Sequence, residues 1–271
     1  MITASIVLYK TDPEILLKSV NSFLASALNE NYYLFLIDNS PDDNLKNLVI
    51  HEKLLYFSNP DNPGFGAGHN IAIKEALKCG SRYHFIINPD VYFGAATVSE
   101  MVVYMDENNE VGMLMPQILN EDGSVQYLPK LLPSPGAVLM RKLKRPTSYY
   151  DRFINRYELR SVDESHIYSA PVLSGCFTML RLDAIKEVGM YDDRFFMYFE
   201  DWDLSRRMHL KYRTVYFPLV SVTHGYESGA NKSKRLFGIF IKSAITYFNK
   251  WGWIFDSERD RVNKQTLQQF K

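Results

Sequence analysis

A chain of 271 residues, 46% hydrophobic and 23% charged, can bury one sizeable core, which excludes an extensively disordered protein. Its 31 Lys and Arg balance 31 Asp and Glu, so no overall field draws it to nucleic acid. Two distant cysteines, Cys79 and Cys176, exclude a disulfide framework and a cysteine zinc site, and suit a reducing cytoplasm.

Residues 1–14 hold a short apolar run with no basic leader or small-residue cleavage site, so they read as a first strand and the protein is expected inside the cell. Apolar runs at residues 4–8, 33–37, 54–58 and 84–87 alternate with helical periodicity, the pattern of a parallel sheet with crossover helices. The first crossover starts at Asp12 and Pro13, an N-cap followed by a proline, and carries Ile15, Leu16, Val20, Phe23 and Leu24 as one stripe. Further helices are predicted from near Asp42 and from near Gly66, the latter stopping at Gly80. A helix at 98–105, a strand at 111–115 and a hairpin turn at Asp122 and Gly123 follow. Residues 129–160 contain Pro133, Pro135 and Pro146 and are strongly basic, which predicts an irregular insert, assigned to 128–165, beside the acceptor side of the site. The pattern then gives a strand at 172–182, a short helix after Asp183, a helix at 200–210, strands at 214–217 and 220–223, and helix from Lys232 onward.

The expected fold is therefore α/β, with a mixed, mainly parallel central sheet flanked by helices: a domain over 1–231 and a basic, aromatic helical extension over 232–271. No stretch reaches the ~18 apolar residues of a membrane span; the nearest, 236–248, is broken by Lys242. In the extension Lys232, Lys234, Arg235, Lys242 and Lys250 alternate with aromatic and aliphatic residues. Such a helix either lies on an anionic membrane surface or packs on the core.

Ligands of a parallel α/β sheet bind beyond the carboxyl ends of its strands, and here those ends are small and polar. Asp38 is placed to accept from a pyrimidine or ribose, or to form an Asx turn with Ser40. The loop NPGFGAGHN can offer backbone amides and Asn70 to a phosphate, or be only a turn. Asp90, closing the fourth strand, can hold a hard divalent cation against diphosphate oxygens, or close a turn with Asn88 and Pro89. In FEDWDLSRR, three acids at a helix start can complement the helix dipole; Glu200, Asp203 and Arg207 share a face and suggest an ion pair, Asp201 points elsewhere, and a carboxylate at this apolar boundary can act as a general base. His224 ends a strand where a metal ligand or phosphate contact would be useful, or is an ordinary strand-end residue.

In this order SIVLYK, IDNS, NPGFGAGHN, NPDV, SGCFTMLR, FFMYFEDWDL and THG resemble the motifs of the inverting nucleotide-sugar glycosyltransferases of family two, of GT-A (Rossmann-like) fold, and are most similar to the bacterial rhamnosyltransferase branch. The resemblance implies a donor pocket formed by Val7, Tyr9, Asp38, Asn62, Gly64, Phe65, Asn70 and Asn88, a Mg²⁺ or Mn²⁺ at Asp90 and His224, and Asp201 as catalytic base. Ser174, Gly175, Cys176, Glu200 and Trp202 would border the sugar and acceptor. Asn88 stands where a strict DxD motif has its first acid. The implied partners are a nucleotide diphosphate sugar, with dTDP-rhamnose foremost, and a lipid-linked glycan of surface polysaccharide synthesis. Two other readings share parts of the pattern. A sugar-phosphate nucleotidyltransferase would need an N-terminal glycine-rich loop with a basic residue, and a non-catalytic nucleotide-sugar-binding protein would need neither Asp90 nor Asp201.

Overall fold

The structure, a computed structural model, describes residues 1–27, 31–143, 147–225 and 233–271. The expected boundary at 231/232, Lys144, Arg145, Pro146 and Lys232 lie outside these residues.

Strand β1 (Ile2–Leu8) is buried along its whole length, and β2 (Tyr32–Asp38), β3 (Leu54–Ser58) and β4 (Tyr83–Ile87) align with it in the parallel order β3-β2-β1-β4. Strands covered on both faces need apolar runs rather than alternation, which is why the sequence signals β1, β2 and β4 so plainly; β3, at the sheet edge, is only half-buried. Helix α1 (Pro13–Ser26) starts where the Asp12 carboxylate accepts from the amides of Glu14 and Ile15, and turns Leu16, Val20 and Phe23 onto the sheet. Helix α2 (Phe65–Lys78) makes the next crossover and ends at Cys79, with Gly80 at φ +69°. Short β5 (Val91–Phe93) precedes α3 (Thr97–Glu107) and β6 (Val111–Leu119).

Beyond the first four strands the sheet becomes mixed. β8 (Phe177–Arg181) runs antiparallel between β4 and β6, while β9 (Arg213–His224) runs parallel to β6 and antiparallel to β5 and to β7 (Tyr168–Ser169). Helices α6 (Leu182–Val188) and α7 (Glu200–His209) link these strands, and α8 (Lys234–Trp251) and α9 (Ser257–Gln268) form the extension.

Four expectations change. Residues 41–48 form turns rather than a helix, because Asp and Asn satisfy the backbone locally; only short-range bonds such as Lys46 N–H to Asp43 C=O form, and Asp43 is tied to Ser58 at 2.6 Å. The insert is not irregular: it contains α4 (Pro135–Leu143) and α5 (Thr147–Tyr157). Pro135 sits at the first helical position, where no amide is needed, and Ser134 Oγ accepts from Ala137 N–H. The strands expected at 214–217 and 220–223 are one strand, β9, with a register shift where the pairing passes from Phe217 to Ser221. The strand expected over 172–182 is confined to β8; Val172 makes an isolated bridge to Lys130, and the residues between them and β8 form a turn.

A polar chain runs through the core under β1. Ser5 Oγ lies 2.7 Å from His69 Nδ1 and 2.8 Å from His84 Nε2, and Thr3 Oγ1 lies 2.8 Å from His84 Nδ1. Burial lowers the pKa of His84 to about 3 and holds His69 well below its usual value, so both rings are neutral in the fold. The unfolded chain takes up protons near pH 6.5, so between that pH and about 3 it binds more protons than the native state, and stability falls as pH falls. The expected slope is about 1.4 kcal/mol per pH unit for each ring. Urea midpoints at pH 7.0, 5.5 and 4.5 measure it, and His84→Gln should remove one ring's share.

Candidate active site

Two cavities open at the carboxyl edge of the parallel strands. One, of about 330 Å³, is lined by Val7, Tyr9, Asn62, Gly64 and Phe65, five residues singled out in the sequence. Gly64 is demanded by geometry, since its φ is +106° and a Cβ there would stand 2.1 Å from Phe196 O. Gly64→Ala is expected to cost about 3 kcal/mol or more from backbone strain and clash together, and to weaken nucleotide binding; thermal melts and titration with a nucleoside diphosphate check both.

Asp38 and Asn70 do not join this pocket. The buried Asp38 carboxylate accepts from Tyr56 Oη at 2.8 Å and from the Ser40 amide at 2.9 Å, which realises the Asx turn. Asn70 donates to Tyr191 C=O and Asp193 Oδ1 and accepts from the Tyr191 amide, so it braces α2 against the chain leading to α7. Each is committed to the fold by a partner that is distant in sequence.

The second cavity, of about 480 Å³, contains Glu200, Asp201 and Trp202 at the start of α7, together with Ser174 and His224. Tyr198 and Phe199 both have positive φ, 70° and 69°, an uncommon state for bulky residues. This double left-handed turn starts α7 abruptly and presents its first carboxylates to the cleft. Asp201 Oδ2 accepts from the Gly175 amide at 3.1 Å and Oδ1 from the Trp202 amide at 2.9 Å. A Cβ on Gly175 would meet Asp201 and Phe65 at 3.3 Å, so only glycine allows this approach without displacement.

The same turn reaches the other end of the site. Cys176 C=O accepts from the Asn88 amide at 2.7 Å, and the register of β5 with β9 sets His224 against Val91. His224 Nε2 stands 3.4 Å from Asp90 Oδ1, while Gln126 donates to the His224 carbonyl and sets its Oε1 3.1 Å from Nδ1. Burial opposes protonation of His224, but Asp90 and Cys176 outweigh it and raise the pKa to about 10. Gln126 was not singled out in the sequence, and only its folding back onto Ile118 of β6, the neighbour of β9, identifies it. Among the described residues no group of three or more His, Cys, Asp or Glu side chains converges on a metal position. Asn88 Oδ1, buried and without a partner among them, and Asp90 Oδ1 are donors compatible with a cation that completes its shell from phosphate and water; His224 Nε2 would join them only by giving up its proton, which the cation's own charge favours.

The carboxylates of α7 divide their tasks differently from the expected ion pair. Asp203 pairs with Arg207 at 2.8 Å, but Glu200 takes no part, and its buried Oε2 lacks a partner among the described residues. Burial, then the neighbouring Asp201, raises the pKa of Glu200 to about 8. Burial also raises Asp201, but the Gly175 amide and the charge of Lys130 pull against that rise. Of the two, Glu200 therefore holds the proton more firmly and Asp201 ionises the more readily.

Lys130 was one of many basic residues in the insert, yet it is buried under this pair. It is held by the backbone bridge to Val172 and donates to Leu128 C=O at 2.7 Å. Past Trp202 the cleft wall is cationic: Arg141 and Arg160 both pair with the buried Glu158, Arg141 lies over the Trp202 ring, and Lys142 lies over Phe240.

Comparison with known proteins follows this geometry. Residues 4–189 match Glycosyl transferase family 2. The rhamnosyltransferase WbbL of Escherichia coli K12 is 24% identical over 248 residues, 88% of this chain and 90% of that one. The N-acetylglucosaminyl-diphospho-decaprenol L-rhamnosyltransferase of Mycobacterium tuberculosis is 30% identical over 142 residues, 51% of this chain and 45% of that one, so the match spans about half of that relative's length. In structure, GalNAc-T7 bound to UDP, GalNAc and Mn²⁺ superposes with a TM-score of 0.59 at 14% identity, over 84% of this chain and 44% of that one, which establishes the GT-A fold.

Proposed function

Because this chain belongs to glycosyl transferase family 2, we propose that it is an inverting transferase that moves L-rhamnose from dTDP-rhamnose onto a lipid-linked glycan. The observation that carries the reading is the turn Ser174–Cys176, which joins the base end of the cleft, through Gly175 and Asp201, to the Asp90–His224 end, through Cys176 and Asn88. The Asp201 carboxylate takes the proton of the acceptor hydroxyl as that oxygen attacks the anomeric carbon. The bond from that carbon to the diphosphate breaks on the opposite face, so configuration inverts, and Asp201 returns the proton to solvent. Asp90 and His224, with Asn88 beside them, would hold a Mg²⁺ or Mn²⁺ whose charge offsets that of the departing diphosphate.

The rhamnosyl specificity rests on the names of the two relatives. An acceptor bearing phosphate suits the cationic wall, where Arg141, Lys142 and Arg160 face one paired acid, Glu158. Among the described residues no helix is long and apolar enough to cross a membrane. The outer face of α8 exposes Phe237, Ile241 and Ile245 beside Lys234 and Lys242, which supports peripheral contact with anionic lipid.

The test is incubation of the full chain with dTDP-rhamnose, Mn²⁺ or Mg²⁺ and a short-chain N-acetylglucosaminyl diphosphate lipid. A product heavier by one deoxyhexose, with the anomeric configuration opposite to the donor's, is expected. Transfer of a different sugar would correct the donor, and neither transfer nor donor hydrolysis with any nucleotide diphosphate sugar would sink the reading.

A further inference from the structure

We infer that the start of the C-terminal helix α8 is the fourth wall of the donor pocket and that Arg235 binds the donor's phosphate, an inference that rests on the donor reading above. The 330 Å³ cavity lies at the lower end of the ~300–1,000 Å³ typical of small-molecule sites. Val7, Tyr9, Asn62, Gly64 and Phe65 line it on the sheet side. Its other side comes from Phe196 and Met197, just before α7, and from Arg235, Leu236 and Ile239 of α8.

Arg235 is the one charged side chain in this lining. Among the described residues no carboxylate pairs with it, whereas Arg206 and Arg207 of α7 are both bound to acids. The polar Asn39 at the same cavity is already spent, donating to Gly64 C=O and accepting from Asn59. A nucleotide entering this pocket would bury an apolar base against Leu236 and Ile239 and would meet the Arg235 guanidinium, unpaired among the described residues, with its negative charge.

The helix is held in this place by contacts remote from the pocket. Ala244, Tyr247 and Phe248 pack with Phe195 and Phe199, and Ser243 Oγ donates to the carbonyl of Met197, itself a pocket residue, at 2.8 Å. Lys250 and Trp251 reach Asp203 of α7 at 2.7 and 2.8 Å. The inner face of the extension therefore positions Arg235, and only its outer face is left for any membrane contact.

Titration calorimetry of the full chain with dTDP and with thymidine tests the assignment. Arg235→Gln is expected to weaken dTDP roughly 10- to 100-fold, the range of one charge-assisted hydrogen bond, and to leave thymidine within about twofold. Leu236→Asp should weaken both ligands, and Lys242→Gln, on the outer face, should weaken neither. Unchanged dTDP affinity in Arg235→Gln would overturn the inference while wild-type binding kept the donor reading alive. Absence of dTDP and UDP binding by the wild type would remove the donor reading and this inference with it.

Discussion

Asp201→Asn is expected to fold, to bind nucleoside diphosphate as the wild type does, and to lose about 10²- to 10⁴-fold in kcat, the usual worth of a general base. The substitution keeps the size of the side chain and one of the two accepting oxygens, which can serve the Gly175 amide while the Trp202 contact is lost, so the turn carrying Gly175 and Cys176 should stay in place. What it removes is the capacity to accept a proton. Because burial raises the Asp201 pKa, activity should fade on the acid side at a pH above the ~3.9 of an ordinary aspartate. Lys130→Met removes a cation that favours the Asp201 carboxylate, so it should move that limb further up the pH scale. Single-turnover rates across pH for wild type, Asp201→Asn and Lys130→Met measure all of this. A full rate in Asp201→Asn would end its assignment as base.

The sequence makes the sheet legible because β1, β2 and β4 are buried almost along their whole length and are mostly apolar, the polar Thr3, Ser5 and His84 being satisfied by one another. Asp12 with Pro13 is legible for a similar reason, since a local signal has a local effect. Asp201, Asp90 and His224 stand out as candidates because strand ends and helix starts are where such sheets put chemistry, and the register of β5 with β9 brings Asp90 beside His224. What stayed hidden depends on contacts between distant segments. Nothing near Asp38 announces that Tyr56 Oη will occupy its carboxylate. Lys130 resembles its exposed basic neighbours until the bridge to Val172 buries it. Arg235 was read as part of a basic surface because the packing of Tyr247 and Phe248 onto Phe199, which swings its helix over the donor pocket, leaves no periodic trace in the Arg235 segment itself.

The largest stability effect is expected at Asp203, which touches no cavity. Its carboxylate is fully buried and accepts from Arg207 Nε and Trp251 Nε1 at 2.8 Å each and from Lys250 Nζ at 2.7 Å, so it clamps α7 to the end of α8. Asp203→Ala would leave two cations facing a buried gap. Removing one partner of such a group costs roughly 3–5 kcal/mol, because the remaining charges have lost their compensation but not their desolvation. Lys250 keeps Asp192 at 2.9 Å and Arg207 keeps the carbonyls of Val188 and Met190, which places the loss toward the lower end of that range. The melting temperature should fall by an amount of the order of 10 °C. If α8 is the outer wall of the donor pocket, dTDP affinity should fall too, although Asp203 is not at the pocket. Asp203→Asn, which can still accept from Trp251, should recover part of both. A variant that melts lower but binds dTDP with wild-type affinity would show that the clamp serves stability alone. An unchanged melting temperature would show that the two contacts from Lys250 and Trp251 do not act as a clamp at all.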